Sequence, residues 1–271
     1  MRAWHSFLLA HELSRGRGSC NGGHVKSTMK SCLLNRLTRL TRLLAAAALS
    51  VPVGAGATDA DADASQAAAH WRQLARIDVE AGYDLLNENH PGAVPESRDP
   101  DFVRRLDAAR AKGLARSANV ASYEGYVATV GEFANLMADG HIWSNPRFVP
   151  RGVHWAGIVA ARHGSNWIVA DEDVSVSGIQ LLGARILECD GISADALARD
   201  VLRFRTDTEV QAQLVMRGAW LLVDEGNPFI ERPKSCVFER GSERIDAIFH
   251  WTAVARDVLL GKHWDHPYGP A

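Results

Sequence analysis

From Ser65 onward, Trp71, Leu74, Ile77, Ala81, Leu85 and Leu86 recur at three- and four-residue steps. That spacing predicts an amphipathic helix. Asp59 to Ala64 reads as a polar linker before it. The helix should stop ahead of His90-Pro91-Gly92, because Pro91 disfavours helical backbone at the preceding residue. Asp99 followed by Pro100 is an N-cap and first-turn signal. Phe102, Val103, Leu106 and Ala109 mark the second helix. Ser122 opens a third, with Tyr126, Val130, Phe133 and Met137 as its apolar stripe. Gly140 fits a left-handed C-terminal cap.

The rhythm changes after Gly140. Residues 153–160 and 167–170 read as two strands around the turn His163-Gly164-Ser165-Asn166. A short strand lies between Gly183 and Gly191, and Ser193 then caps a helix reaching Leu202. Residues 207–224 read as a further helix. Residues 236–239 and 245–251 pair as a hairpin around Arg240-Gly241-Ser242. The expected fold is α+β: a helical bundle over 65–140, then a small, partly open β-sheet region over 141–255 with one or two helices. Residues 256–271 form a tail that is polar from Gly261 onward.

The N-terminus changes the picture. Lys30, Arg36, Arg39 and Arg42 precede a short apolar run, Leu43 to Val53, and Ala55-Gly56-Ala57 follows the small-x-small pattern. This is the layout of a secretory signal peptide over about 29–57, cleaved after Ala57. The apolar run is too short to span a bilayer. Met29 then reads as the start, and residues 1–28 as an upstream extension. The expected location is the periplasm, an oxidising compartment in which Cys189 and Cys236 remain. They form a disulfide or stay as two buried thiols; spacing leaves both open.

Composition adds mainly exclusions. Hydrophobic residues make up 46%, charged residues 23%, and the net charge is −2. This balance is ordinary for a globular chain and offers no basic surface for nucleic acid. No CxxC or Cys/His spacing points to zinc. No phosphate loop or dinucleotide loop occurs, so no cofactor or metal is expected. His263, Asp265 and His266 read as a polar tail rather than a metal clip.

Four segments carry a family likeness. They are residues 84–92 (DLLNENHPG), residues 133–141 (FANLMADGH), residues 183–191 (GARILECDG) after Gly178-Ile179, and Asn227-Pro228-Phe229 before the hairpin. Their order resembles the N-terminal half of the tail-specific, or C-terminal processing, serine peptidases, which include tricorn-core and chlamydial-type proteases. The likeness covers roughly residues 70–255. It implies a PDZ-like character for the β-rich region and metal-free cleavage of peptide bonds. It also implies a general base at His141, after the third helix. An imidazole is suited to proton transfer near neutral pH, and a helix C-terminus favours its charged form. Without the likeness, Asp139-Gly140-His141 is a helix cap and turn. Asp139 is too near in sequence to be assigned as its orienting group. His90 reads as a turn residue.

The departure is as informative. The family's nucleophilic serine lies in a downstream α/β core, which this sequence is expected to lack. Ser193, Ser235 and Ser242 fall at cap and turn positions, and no G-x-S-x-G elbow occurs. Three readings stay open. The chain is a truncated secreted peptidase, inactive alone; or a non-catalytic periplasmic module binding peptide C-termini by strand addition; or a half that needs a partner carrying the catalytic core. A homodimer is also open. A missing core should leave Phe249, Trp251, Val254 and Leu259–Leu260 exposed. Trp143, Trp155, Trp167, Trp220 and Trp251 should be core or interface residues.

Overall fold

Three helices come first because capping side chains stand where the apolar periodicity begins. The computed structural model describes residues 59–146, 148 and 152–259. The expected signal peptide, the upstream extension and the His263–His266 tail lie outside them. Helix α1 spans Asp59–Asn89, α2 Pro100–Ser117 and α3 Tyr123–Asn135. Asp99 accepts the N–H of Asp101, and Ser122 accepts that of Gly125. Each capping oxygen satisfies an N–H that has no partner inside the helix. The three helices pack around Val79, Phe102, Leu106, Ala109, Phe133 and Met137.

The rest is antiparallel sheet with short helices. Strands β1 (Gly152–Trp155), β2 (Ile158–His163) and β3 (Asn166–Glu172) come first. The one-turn helix α4 (Val174–Ser177), β4 (Arg185–Cys189), β5 (Ile192–Ser193) and α5 (Ala194–Leu202) follow. Then come α6 (Gln211–Arg217), a 3-10 turn at Gly218–Trp220 and β6 (Val223–Asp224). Strands β7 (Ser235–Arg240), β8 (Glu243–Ile248) and β9 (Thr252–Ala255) complete the order. One sheet has the order β6-β1-β9. The other runs β2-β3-β4-β7-β8, with β5 on β4. A second apolar core fills this region, built on Trp155, Trp167, Leu202, Leu214, Leu222 and Phe238.

The two cores meet across a polar seam. Glu132 of α3 is buried, 2% exposed. Its carboxylate receives Lys112 at 2.9 Å, Arg116 at 2.7 Å and Arg203 at 3.1 Å. Arg116 also lies over the rings of Phe204 and Phe229. A buried charge needs such pairing to be tolerated. Gly131 permits the approach: a Cβ there would sit 2.7 Å from the Phe204 carbonyl oxygen.

Several expectations need correction. The Asp59–Ala64 segment is helical, since alternating Ala and Asp combine a strong helix former with acids suited to a first turn. The left-handed residue after α3 is Ala138, with φ 53°, not Gly140; the helix ends two residues before Ala138's predecessor Met137, at Asn135. The single strand expected over 153–160 is two strands in different sheets. The chain changes sheet at Gly157, where φ is +80° and a Cβ would lie 2.6 Å from the Ser177 nitrogen. The long helix expected over 207–224 shrinks to 211–217, and Val223–Asp224 pair with β1 instead. Strand β9 was not anticipated; it pairs with β1 through Thr252–Ala255. Phe249 and Leu259 are buried, at 7% and 0%, and Trp251 and Val254 pack partly on the core, contrary to the expected exposure. Conversely, Trp143 is 67% exposed, while Trp155, Trp167 and Trp220 are buried.

Of the two alternatives for the cysteines, the structure takes the disulfide. Cys189 and Cys236 face each other directly across β4 and β7 and are bonded. Register settles what spacing left open.

Candidate active site: a histidine held by a carboxylate

Where α3 ends, the chain turns through Leu136–Gly140, and the side chain of Asp139 folds forward. Its Oδ1 accepts the backbone N–H of His141 at 2.8 Å. This is an Asx turn, in which an aspartate bonds the backbone two residues on. The turn brings the next side chain within reach. His141 Nδ1 lies 3.0 Å from the same oxygen. A carboxylate only accepts, so Nδ1 carries a proton, and in the neutral ring Nε2 holds the free lone pair. The His141 side chain is 98% exposed. Among the described residues its side chain bonds only Asp139.

The other carboxylate oxygen faces His90. Nδ1 of His90 accepts the backbone N–H of Gly92 at 3.0 Å, so Nε2 is the protonated nitrogen. That Nε2 lies 3.3 Å from Asp139 Oδ2. The His90 ring stacks on Phe102 with centroids 4.0 Å apart and planes 10° from parallel. Phe102 belongs to the helical core, so the packing of α2 fixes His90, and His90 meets Asp139. Asp139 is held below the usual carboxylate range. The His141 backbone N–H is the largest cause, and the two imidazoles add to it against the opposing effect of burial.

The arrangement supplies a base with an orienting carboxylate. It holds the imidazole in one tautomer and can stabilise the imidazolium formed on proton uptake. Sequence reasoning singled out His141 and set Asp139 aside; the structure brings them together, with His90 as a third member. The signal that could have found Asp139 is the Asx turn itself, because an Asp two residues before a His, just past a helix, can reach both its N–H and its ring.

The serines weighed as nucleophiles stand elsewhere. Ser193 caps α5 by accepting the Ala196 N–H. Ser235 donates its hydroxyl to Asp190. Ser242 sits in the β7–β8 turn. His154 accepts Arg232 at Nδ1, 3.0 Å away, and His163 ends β2.

A cleft of about 390 Å³ lies between α3, residues 143–146 with Phe148, and the 204–233 stretch. Tyr123, Trp143, Phe204, Trp251, Glu225 and Arg256 are among its walls; His141 is not. Glu225 lies in the loop after β6. It is mostly buried and pairs with both Arg205 and Arg256, whose guanidinium groups lie over Trp220 at 4.3 and 4.8 Å. Among the described residues, no group of His, Cys, Asp or Glu is arranged to hold a metal ion. No described helix is long and apolar enough to cross a membrane.

No family model matches this chain, and no curated protein is similar to it in sequence. Solved structures give remote likenesses. Mature CPAF complexed with lactacystin is 12% identical, with a TM-score of 0.49, over 67% of this chain and 35% of that one. Mature CPAF alone is 14% identical, with a TM-score of 0.46, over 67% and 35%. The chain thus spans about a third of the length of these structures. At that distance no residue role is carried across.

Proposed function

We propose that this chain contributes the general base of a serine-type peptidase site of the tail-specific kind. His141 is that base, Asp139 its orienting group, and the nucleophilic serine comes from polypeptide outside the described residues. One observation carries the reading: His141 places Nδ1 on a carboxylate and leaves Nε2 free on a fully exposed ring. Nucleophilic catalysis needs such a base within hydrogen-bond reach of the serine, together with oxyanion donors. The serine's proton would pass to Nε2, the alkoxide would attack the peptide carbonyl, and the proton would then go to the leaving amine. The described residues supply the proton-handling part. The same reading makes this a secreted chain, its leader near residues 29–57.

The test uses the native gene product, purified from its host with an antibody against this chain. It is assayed for casein cleavage and for labelling by a fluorophosphonate. We expect both in the wild type, and loss of cleavage in His141→Ala with the labelled serine outside residues 59–259. Absence of cleavage, or cleavage indifferent to His141→Ala, overturns the reading. Peptide binding without cleavage would give the site to a non-catalytic module instead.

A further inference from the structure

We propose that the outer edge of β8 pairs antiparallel with β8 of a second copy of this chain, about a two-fold axis through Ile245. Among the described residues, β8 pairs with β7 alone and ends its sheet. The β7–β8 register runs from Arg240↔Glu243 to Ser235↔Ile248 without a shift. One residue beyond it, the Phe249 N–H donates to the Lys234 carbonyl at 2.8 Å. Antiparallel pairs alternate between bonded and non-bonded positions. The odd-numbered residues of β8 therefore spend their backbone groups on β7. Arg244, Asp246 and Ile248 turn theirs toward the open edge.

The side chains of that edge are self-complementary. Arg244, Asp246 and Ile248 are exposed, Ile248 at 72%, while Ala247 is buried and Ile245 half-buried. With the axis at Ile245, Arg244 stands opposite the partner's Asp246, and Asp246 opposite the partner's Arg244. Both are bonded-type positions, so each pair can exchange two backbone hydrogen bonds. Ile245 meets its own symmetry mate at a non-bonded position, where side chains come closer. Ile248 lies diagonally beside the aliphatic stem of the partner's Arg244. Moving the axis to Arg244 or Asp246 sets like charges face to face, which is destabilising. Moving it to Ala247 leaves Asp246 opposite isoleucine. Axes between residues put bonded against non-bonded positions.

Edge strands are commonly blunted by proline, a bulge or charged side chains, which repel a second copy when they meet like charges. This one has no proline, no bulge against β7, and charges of alternating sign. Within the chain Arg244 already meets Glu188 at 3.1 Å, with both groups exposed. Such a surface pair is weak and easily exchanged.

The experiment is sedimentation velocity on the full chain at low salt across a range of concentrations. It compares wild type with R244D, D246R and the double swap. We expect a wild-type dimer that dissociates on dilution. Each single change converts both cross-strand ion pairs to like-charge pairs and should weaken the dimer by about tenfold. The double swap should restore it to near the wild-type value, which also excludes misfolding as the cause. A wild type that stays monomeric overturns the proposal. So does a dimer indifferent to the single changes, or one the double swap fails to rescue. A monomer whose β8 edge instead takes up an extended peptide would also overturn it.

Discussion

The helical region and the sheet region are held together by different means. The helices are ordered locally: Asp99 and Ser122 cap their own chains, and one modest apolar cluster joins three neighbours in sequence. The sheets are ordered by distant pairings. Strand β1 takes partners from 223–224 and 252–255, and β4 takes one from 235–240. A disulfide joins residues 47 apart in sequence. The His90–Asp139–His141 group belongs to the local side. It depends on a turn and on one stacked ring, and its candidate base, His141, was singled out through a family likeness. In the other half even the strand count could not be read from the sequence.

The largest effect should come from the sheet side. Replacing Cys189 and Cys236 by alanine should cost about 4 kcal/mol in the chain-entropy account of a cross-link of this span. The comparison is sharpened by reading hydrogen exchange as well as the melt. Protection should fall first in β4 and β7 and least in α1–α3. An equal loss everywhere would show that the two regions unfold as one.

Next comes the seam. Glu132→Gln leaves Arg116 and Arg203 facing a neutral group in a buried place and should cost about 3 kcal/mol. Lys112→Ala, which removes the half-exposed partner, should cost under about 1 kcal/mol. Denaturant melts of the two variants check this. Equal effects would mean that the seam is no more buried than the surface.

Acid should act on both regions through Asp139 and Asp190. Asp139 is lowered chiefly by the His141 backbone N–H, and Asp190 chiefly by the Lys234 backbone N–H, with Ser235 adding to it. Both carboxyls are more acidic folded than unfolded. Their contribution is complete above the ordinary aspartate value of about 4 and is lost as pH falls through the folded value. Thermal melts between about pH 6 and 2 should be flatter in Asp139→Asn than in the wild type over the acidic part. Identical slopes would remove Asp139 from the account. The smallest effect is expected at Arg104, whose pair with Asp101 is exposed on both sides. Arg104→Ala should change stability by less than about 0.5 kcal/mol in a denaturant melt.

Much of the fold was legible in the sequence through local physics, and one member of the candidate site, His141, through the family likeness. Helix caps, the stop before Pro91, the β7–β8 hairpin and the position of His141 are set by residues within a few places of each other. Their physics is local hydrogen bonding and periodic burial. Asp139 belonged to that class too: its turn was readable, and only its reach to the ring was underestimated. What lay beyond the sequence depends on contacts between distant residues. Gly157 is where one apolar run divides between two sheets, because the Ser177 backbone leaves no room for a Cβ there. Glu225 is an ion-pair centre only because Arg205 and Arg256 arrive from elsewhere. The cysteines bond because β4 and β7 share a register, and Glu132 is tolerated inside only because three cations converge on it. The local sequence chose the helices and turns. The tertiary structure chose the partners, because long-range pairing is decided by which surfaces bury together rather than by any one segment's preference.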